Sequence, residues 1–316
     1  MSLIELSLDT THEAVDWVCT LLAETVDIAD VEIAAYSHQN SLATSPWAFT
    51  IHIYLPDDNY SRVRVEKIVN LLSPLHRTGL ATTIESNLVE KPINTNIISP
   101  VVNRIGERFV VLAPHAPYPS PAADEIIIRL AKTLAFGSGL HPATILSLQL
   151  LEKYILPQMN VLDLGSGSGI LSVAIAKLGA QVLALDNDHV AVQATQNTVR
   201  LNSVEPQVTV VEGSLGCGSE MGHWMGKETS ADAIKIEDTP SFHLIVANIL
   251  ARIHVALADD FRRSLRHTNT QPGLLITAGF TIDQEEIVNA ALTTAGFEVI
   301  DCARFHEWVA LVYQLY

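Results

Sequence analysis

The sequence predicts a doubly wound α/β domain on a mostly parallel sheet, preceded by a ferredoxin-like α+β domain. Three observations predict it. From Leu134 onward, short apolar runs alternate with helical segments, the pattern of successive βαβ units. A glycine turn, Gly165-Ser-Gly-Ser-Gly169, joins one of those runs to a helix. Residues 1–92 instead spell strand, helix, two strands, helix, strand, the split βαββαβ order.

Taken in order, Leu3-Ile-Glu-Leu-Ser-Leu8 alternates as a half-buried strand does. Asp9-Thr-Thr11 offers capping oxygens to a helix over residues 12–25. Residues 31–36 and 48–55 read as strands, and Pro56-Asp-Asp-Asn59 opens a helix over 60–72. A strand over 81–89 closes the module. Such modules bind peptides, RNA or small effectors, or merely pack, so the shape alone decides no function. Lys91-Pro-Ile-Asn-Thr-Asn96 reads as the linker into the second domain, 93–316.

In that domain residues 106–112 predict a strand, 114–121 a rigid proline loop, 126–130 a short apolar strand and 145–154 an amphipathic helix. Residues 161–164, 182–185, 208–211, 244–247 and 274–277 predict parallel strands, with helices after most of them. Residues 297–301 and 308–313 fit an antiparallel edge hairpin. Between 213 and 240, glycines, methionines, Cys217 and scattered charge predict a long surface insertion.

Composition narrows the function classes. The 316 residues are 48% hydrophobic and 17% charged, as in a globular protein with a sizeable core. A formal net charge of −16 disfavours grip on a nucleic-acid backbone and suits a basic protein partner. Three cysteines, at 19, 217 and 302, form no Cys-x-x-Cys pair, so neither a disulfide framework nor a metal site is expected. Glu5 and Asp9 are unlike a secretory signal. The most apolar stretch, 161–185, is broken by Asp163, Lys177 and glycines and is no membrane span. A cytoplasmic protein is expected.

Three segments carry chemistry. In the first, Val161-Leu-Asp-Leu-Gly-Ser-Gly-Ser-Gly-Ile170, Gly165 and Gly167 let the backbone approach a ligand where a Cβ would collide. The amides at the following helix start can face a polar group. Asp186 lies 21 residues after Gly165, where a carboxylate can accept both hydroxyls of a ribose. Ile170 stands where the dinucleotide fingerprint has its last glycine. With Asp163 before the turn, this is the form usual in S-adenosylmethionine-dependent methyltransferases rather than nicotinamide enzymes. The second segment, Ala135-Phe-Gly-Ser-Gly-Leu-His-Pro-Ala-Thr144, puts Thr144 in the first turn of a helix, where its hydroxyl can serve a cap or a ligand. His141 has no neighbouring acid to make it a base and suits a structural role. In the third, Phe242 to Leu250, an apolar strand ends in Asn248 at the carboxyl edge of the sheet. Its carboxamide can accept from an amine, orient a ligand or cap the next helix.

Together these segments resemble the PrmA family, methyltransferases of the large-subunit ribosomal protein L11. The likeness covers nearly the whole chain, including Leu3 to Thr11, Arg104-Ile-Gly-Glu-Arg108, the His141-Pro142 segment, the Asp163 glycine turn and Val246-Ala-Asn-Ile-Leu250. It implies a substrate-recognition domain tethered to a methyltransferase core, with the L11 N-terminal α-amine and lysines as acceptors. It also implies that Thr144, Gly165, Asp186 and Asn248 contact S-adenosylmethionine, joined by Gly167 from the turn itself, and that Asn248 acts in catalysis. This chain departs from the family at Ser138, Leu140 and Ala143, where threonine is usual, and at Ser166 and Thr277-Ala-Gly279. It also lacks the tryptophan-containing segment between domains. Those departures leave another protein lysine or a small amine as alternative acceptor, and a binding factor without turnover as the alternative class.

Overall fold

The computed structural model describes residues 2–22, 25, 26, 30–36, 45–90, 103–119, 122, 124–131, 139–216, 234–236, 241–266 and 272–316. The expected linker and Ser138 lie outside the described residues. The chain divides into two compact units, Met1–Val101 with Lys132–His141, and Val102–Ala131 with Pro142–Tyr316.

The first unit contains β1 (Ser2–Thr10), α1 (Val15–Leu22), β2 (Val31–Ala35), β3 (Phe49–Pro56), α2 (Ser61–Arg77) and β4 (Glu85–Glu90). Its antiparallel sheet has the order β2-β3-β1-β4, the ferredoxin-like arrangement. Alternation sets the core: Phe49, Ile51, Ile53 and Leu55 of β3 and Leu6 and Leu8 of β1 are buried with Val15, Val18 and Leu22 of α1 and Ile68 and Leu72 of α2. Each fully buried side chain of this size stabilises by about 1.5–3 kcal/mol. Thr11 Oγ1 accepts from Ala14 N at 3.3 Å, so α1 begins later than the expected residue 12. Helix α2 runs past the expected 72 to Arg77, with Pro74 inside its last turn.

The second unit opens with β5 (Asn103–Ile105), β6 (Phe109–Leu112) and β7 (Ile126–Arg129), a small sheet in that order. The single strand expected over 106–112 is in fact the second arm of a hairpin. Gly106, at φ +63°, makes the turn, and Glu152 Oε2 accepts from the Glu107 amide at 3.0 Å, occupying the space where a Cβ on Gly106 would stand. Glu152 belongs to α3 (Pro142–Tyr154), which starts three residues earlier than expected because proline suits the first helical position.

The main elements follow: β8 (Asn160–Leu164), α4 (Ile170–Lys177), β9 (Gln181–Asp186), α5 (His189–Leu201), β10 (Val208–Leu215), β11 (Ile234–Ile236) and β12 (Leu244–Asn248). The chain ends with α6 (Ala251–Ala256), α7 (Ala258–Ser264), β13 (Leu274–Thr281), α8 (Ile282–Thr294), β14 (Phe297–Phe305) and β15 (Trp308–Leu315). Eight strands make one sheet, β11-β10-β9-β8-β12-β13-β15-β14, and β15 alone runs against its neighbours. The expected insertion over 213–240 is corrected at both described ends. Gly213 to Leu215 continue β10, with Leu215 fully buried, and Ile234 to Ile236 pair beside them in parallel as the outer strand. The rest of that segment lies outside the described residues.

Consecutive residues of the central strands go to opposite faces. Val161, Leu244 and Ile276 pack with α3 and α4, whereas Leu162, Ile245 and Leu275 pack with α7 and α8. Both faces are covered, so the strands read as continuous apolar runs. The chain leaves β8 toward β9 and later returns on its other side at β12. Open α/β sheets bind ligands at such a reversal, beyond the carboxyl ends of the strands.

Candidate active site

The sequence-predicted residues converge at that reversal. Strand β8 delivers the chain to Gly165, whose φ of +77° suits glycine, and Gly165 N donates to Leu185 O at 2.8 Å. A Cβ on Gly165 would lie 2.6 Å from Ile249 Cγ2, so the glycine lets the end of β12 close on the end of β8. Gly167, at φ +54°, donates its amide to Asp186 Oδ2 at 2.9 Å. Asp186 stands at the end of β9, and its other oxygen accepts from Asp188 N at 3.0 Å. Asp188 in turn caps α5 by accepting from Val190 N at 2.9 Å. Asp186 is only half-buried, and each carboxylate oxygen can accept more than one hydrogen bond.

On the other side of β8, Asn248 ends β12. Its Nδ2 reaches Thr144 Oγ1 at 3.4 Å, joining the first turn of α3 to the sheet edge. Its Oδ1 is buried and accepts no hydrogen bond among the described residues. Buried polar atoms are mostly hydrogen-bonded, and one left without a partner calls for a specific explanation, a catalytic role among them.

Asp163, one residue inside β8, is fully buried beneath the turn. Ser172 Oγ of α4 donates to its Oδ2. Burial pushes the carboxyl up to about 7, with Ser172 opposing and the nearby Asp186 charge adding to the rise. Asp163 is therefore partly protonated near neutrality.

Several contributors escape sequence reasoning. Gly169, at φ +82°, leaves room for Thr195, whose Cα would lie 2.8 Å from a Cβ there. Thr195 Oγ1 is 3.0 Å from both Ser166 Oγ and the Gly167 carbonyl, so α5 steadies the glycine turn. Gly279, at φ +92°, receives the Ile249 peptide: a Cβ would lie 2.5 Å from Ile249 O and 3.0 Å from Asn248 Oδ1. Only the third glycine of the turn carried a local signal for any of these. In the first unit, His141 is fully buried and held neutral by burial and by His12, its titration pushed down to about 3. Leu140 packs against that unit's core, while Ala143 is buried in the core of the second unit.

Among the described residues no helix is long and apolar enough to cross a membrane, and no group of three or more His, Cys, Asp or Glu could hold a metal. Cys19 and Cys302 are free thiols, the first buried and the second exposed.

The glycine cradle, the ribose-ready carboxylate and the unsatisfied carboxamide oxygen together fit an amino-acid-bearing nucleoside such as S-adenosylmethionine. Comparison with known proteins agrees. Residues 2–315 match the model of the family described as "Ribosomal protein L11 methyltransferase (PrmA)". The ribosomal protein L11 methyltransferase of Chloroflexus aurantiacus is 40% identical over 84% of this chain and 81% of its own length. The enzyme of that name from Oceanobacillus iheyensis is 32% identical over 98% of this chain and 96% of its own. A crystal structure of ribosomal protein L11 methylase from Lactobacillus delbrueckii subsp. bulgaricus superimposes with a TM-score of 0.55 at 28% identity, covering 68% of this chain and 99% of that one.

Proposed function

This chain belongs to the ribosomal protein L11 methyltransferase (PrmA) family, and on that premise we propose which groups it methylates and which residues do the work. It is an S-adenosylmethionine-dependent methyltransferase, and its acceptors are the N-terminal α-amine and lysine side chains of L11. The observation that carries this reading is the buried, partnerless Oδ1 of Asn248 beside the Gly165 turn and Asp186.

The cofactor supplies an electrophilic methyl group on a sulfonium, which leaves as a neutral thioether and needs no acid. Asp186 accepts the ribose hydroxyls while keeping the Gly167 amide, and Gly165 and Gly167 allow backbone contact with the cofactor. Thr144 and Asn248 line the opposite wall. Asn248 Oδ1 accepts from an N–H of the incoming amine and aims its lone pair along the line of displacement. Alignment of this kind supplies roughly 7–11 kcal/mol of the barrier reduction. The amine must arrive neutral. An α-amine, with a pKa of about 8, meets that condition more readily than lysine at about 10.4. Desolvation of the lysine on entering the site favours its neutral form.

Residues 1–92 serve as the substrate-recognition domain and residues 93–316 as linker and catalytic domain. The net charge of −16 suits a basic ribosomal protein and argues against direct grip on RNA. Work on a ribosomal protein supports a cytoplasmic location for the enzyme.

The test is intact mass of unmodified recombinant L11 after incubation with this protein and S-adenosylmethionine, with Asp186→Ala alongside. Methyl-sized gains absent from the control, mapped to the N-terminus and lysines by peptide sequencing, are expected. No gain while cofactor binding persists by calorimetry would overturn the substrate and favour another amine.

A further inference from the structure

Asn248 can align an amine only if its own peptide is fixed, and nothing on β12 beyond Asn248 continues the sheet. The turn that follows is held by a carbonyl from the neighbouring strand. In parallel register Asn248 pairs with Ala278, and the Ala278 carbonyl accepts the Ile249 amide at 3.0 Å. The same carbonyl oxygen lies 3.0 Å from Nε2 of His254 on α6. Between Thr277 and Phe280 the pairing of β13 with β15 shifts register, and within that shift Gly279 takes its left-handed conformation against the Ile249 peptide. His254 is fully buried, edge-on to Phe280 at 5.4 Å between ring centres and 6.2 Å from Phe261. Its burial keeps the ring neutral, with one N–H to donate, and its titration lies near 4. A hydrophobic residue would fill that apolar slot at less desolvation cost, so the imidazole is there for its hydrogen bond.

We propose that His254 is a positioning residue for methyl transfer: by donating Nε2–H to the Ala278 carbonyl it fixes the acceptor of the Ile249 amide, and so the orientation of the Asn248 carboxamide. This rests on the reading of Asn248 given above. The residue touches neither cofactor nor amine. It acts through the Ala278 oxygen, which accepts both from its ring and from the Ile249 amide, and through its own contact with the Ile249 backbone.

The test compares His254→Phe and His254→Met, which keep the apolar packing and lose the donor, with His254→Gln, which keeps an N–H. In whichever donor-less variant folds, judged by circular dichroism, kcat on L11 should fall about tenfold or more while calorimetric Kd for S-adenosylhomocysteine stays within about threefold. His254→Gln should recover most of the turnover. Each is then combined with Asn248→Ala. If His254 acts through Asn248, the donor-less change costs nothing further in that background. A merely structural residue would lower both backgrounds by the same factor, and that equality overturns the proposal, as does wild-type turnover in either donor-less variant. If neither folds, Gly279→Ala, which pushes on the same Ile249 peptide, must show the same dependence on Asn248. Full turnover of Asn248→Ala alone is a separate result, and it defeats the reading of Asn248 instead.

Discussion

The Gly167 amide donates to Asp186 Oδ2 across 2.9 Å. The same carboxylate that would bind the ribose thus already fastens the glycine turn to the end of β9. Loss of Asp186 should therefore loosen the turn as well as remove an acceptor.

Asp186→Ala should weaken S-adenosylmethionine binding by about 100-fold or more, since hydrogen bonds to a charged acceptor contribute about 1.5–3 kcal/mol each. Asp186→Asn keeps a carbonyl for the Gly167 amide but loses the charge, and should fall between the two. Titration calorimetry checks both, and wild-type affinity in Asp186→Ala would remove Asp186 from the pocket.

Asn248→Ala should lower kcat by about 100-fold, the usual order for losing one aligned polar group at a reacting centre. Its melting temperature should change by no more than about 2 °C, because Oδ1 accepts nothing and Nδ2 makes only the long contact to Thr144. A large thermal loss with unchanged kcat would make Asn248 a structural residue.

Gly165→Ala meets two costs. A left-handed φ of +77° disfavours alanine by roughly 1–2 kcal/mol, and the new methyl would lie 2.6 Å from Ile249 Cγ2. Adding Ile249→Ala should return the steric part and leave the dihedral part. Urea denaturation of the single and double variants separates them, and simple additivity would refute the contact.

Asp163 gives a pH signature. Its folded titration lies near 7, above an unfolded value of about 3.9, so the native state keeps a proton that the unfolded chain releases. Its contribution is complete below about pH 4 and is lost as pH rises through 7. Asp163→Asn should cancel that slope and gain stability relative to wild type from pH 4 to 7, retaining the gain above. His254, with its titration depressed to about 4, has the opposite slope over pH 4–6.5, but both proteins share it and it drops out of the difference. Melting temperature against pH is the measurement; parallel curves would contradict the buried carboxyl.

Much of this site was legible because its signals are local. The Gly165 turn, Asp186 and Asn248 each end an apolar run largely buried between two helix layers, and such runs betray their own limits. The hairpin at Gly106 was not legible, because its turn is fastened to Glu152 on a helix far along the chain. Strand β11 hid inside a glycine-rich segment, since only its pairing with Gly213 to Leu215 makes it a strand. Thr195, His254 and Gly279 reach the glycine turn and the end of β12 only through tertiary contacts, and no spacing rule announces a partner that the fold alone brings near.

The antiparallel strand β15 also constrains how the molecule is made. It is wedged between β13 and β14 and buries Val309, Val312 and Tyr313 completely. Chains emerge from the ribosome amino end first, so β13 waits with an open edge through the synthesis of α8 and β14. The first unit needs the chain only as far as His141, well before β15 is made. During that interval the half-built sheet exposes an apolar edge suited to stray pairing. Completion of the sheet therefore turns on β15, the strand that pairs with β13 on either side of Ala278 and Gly279.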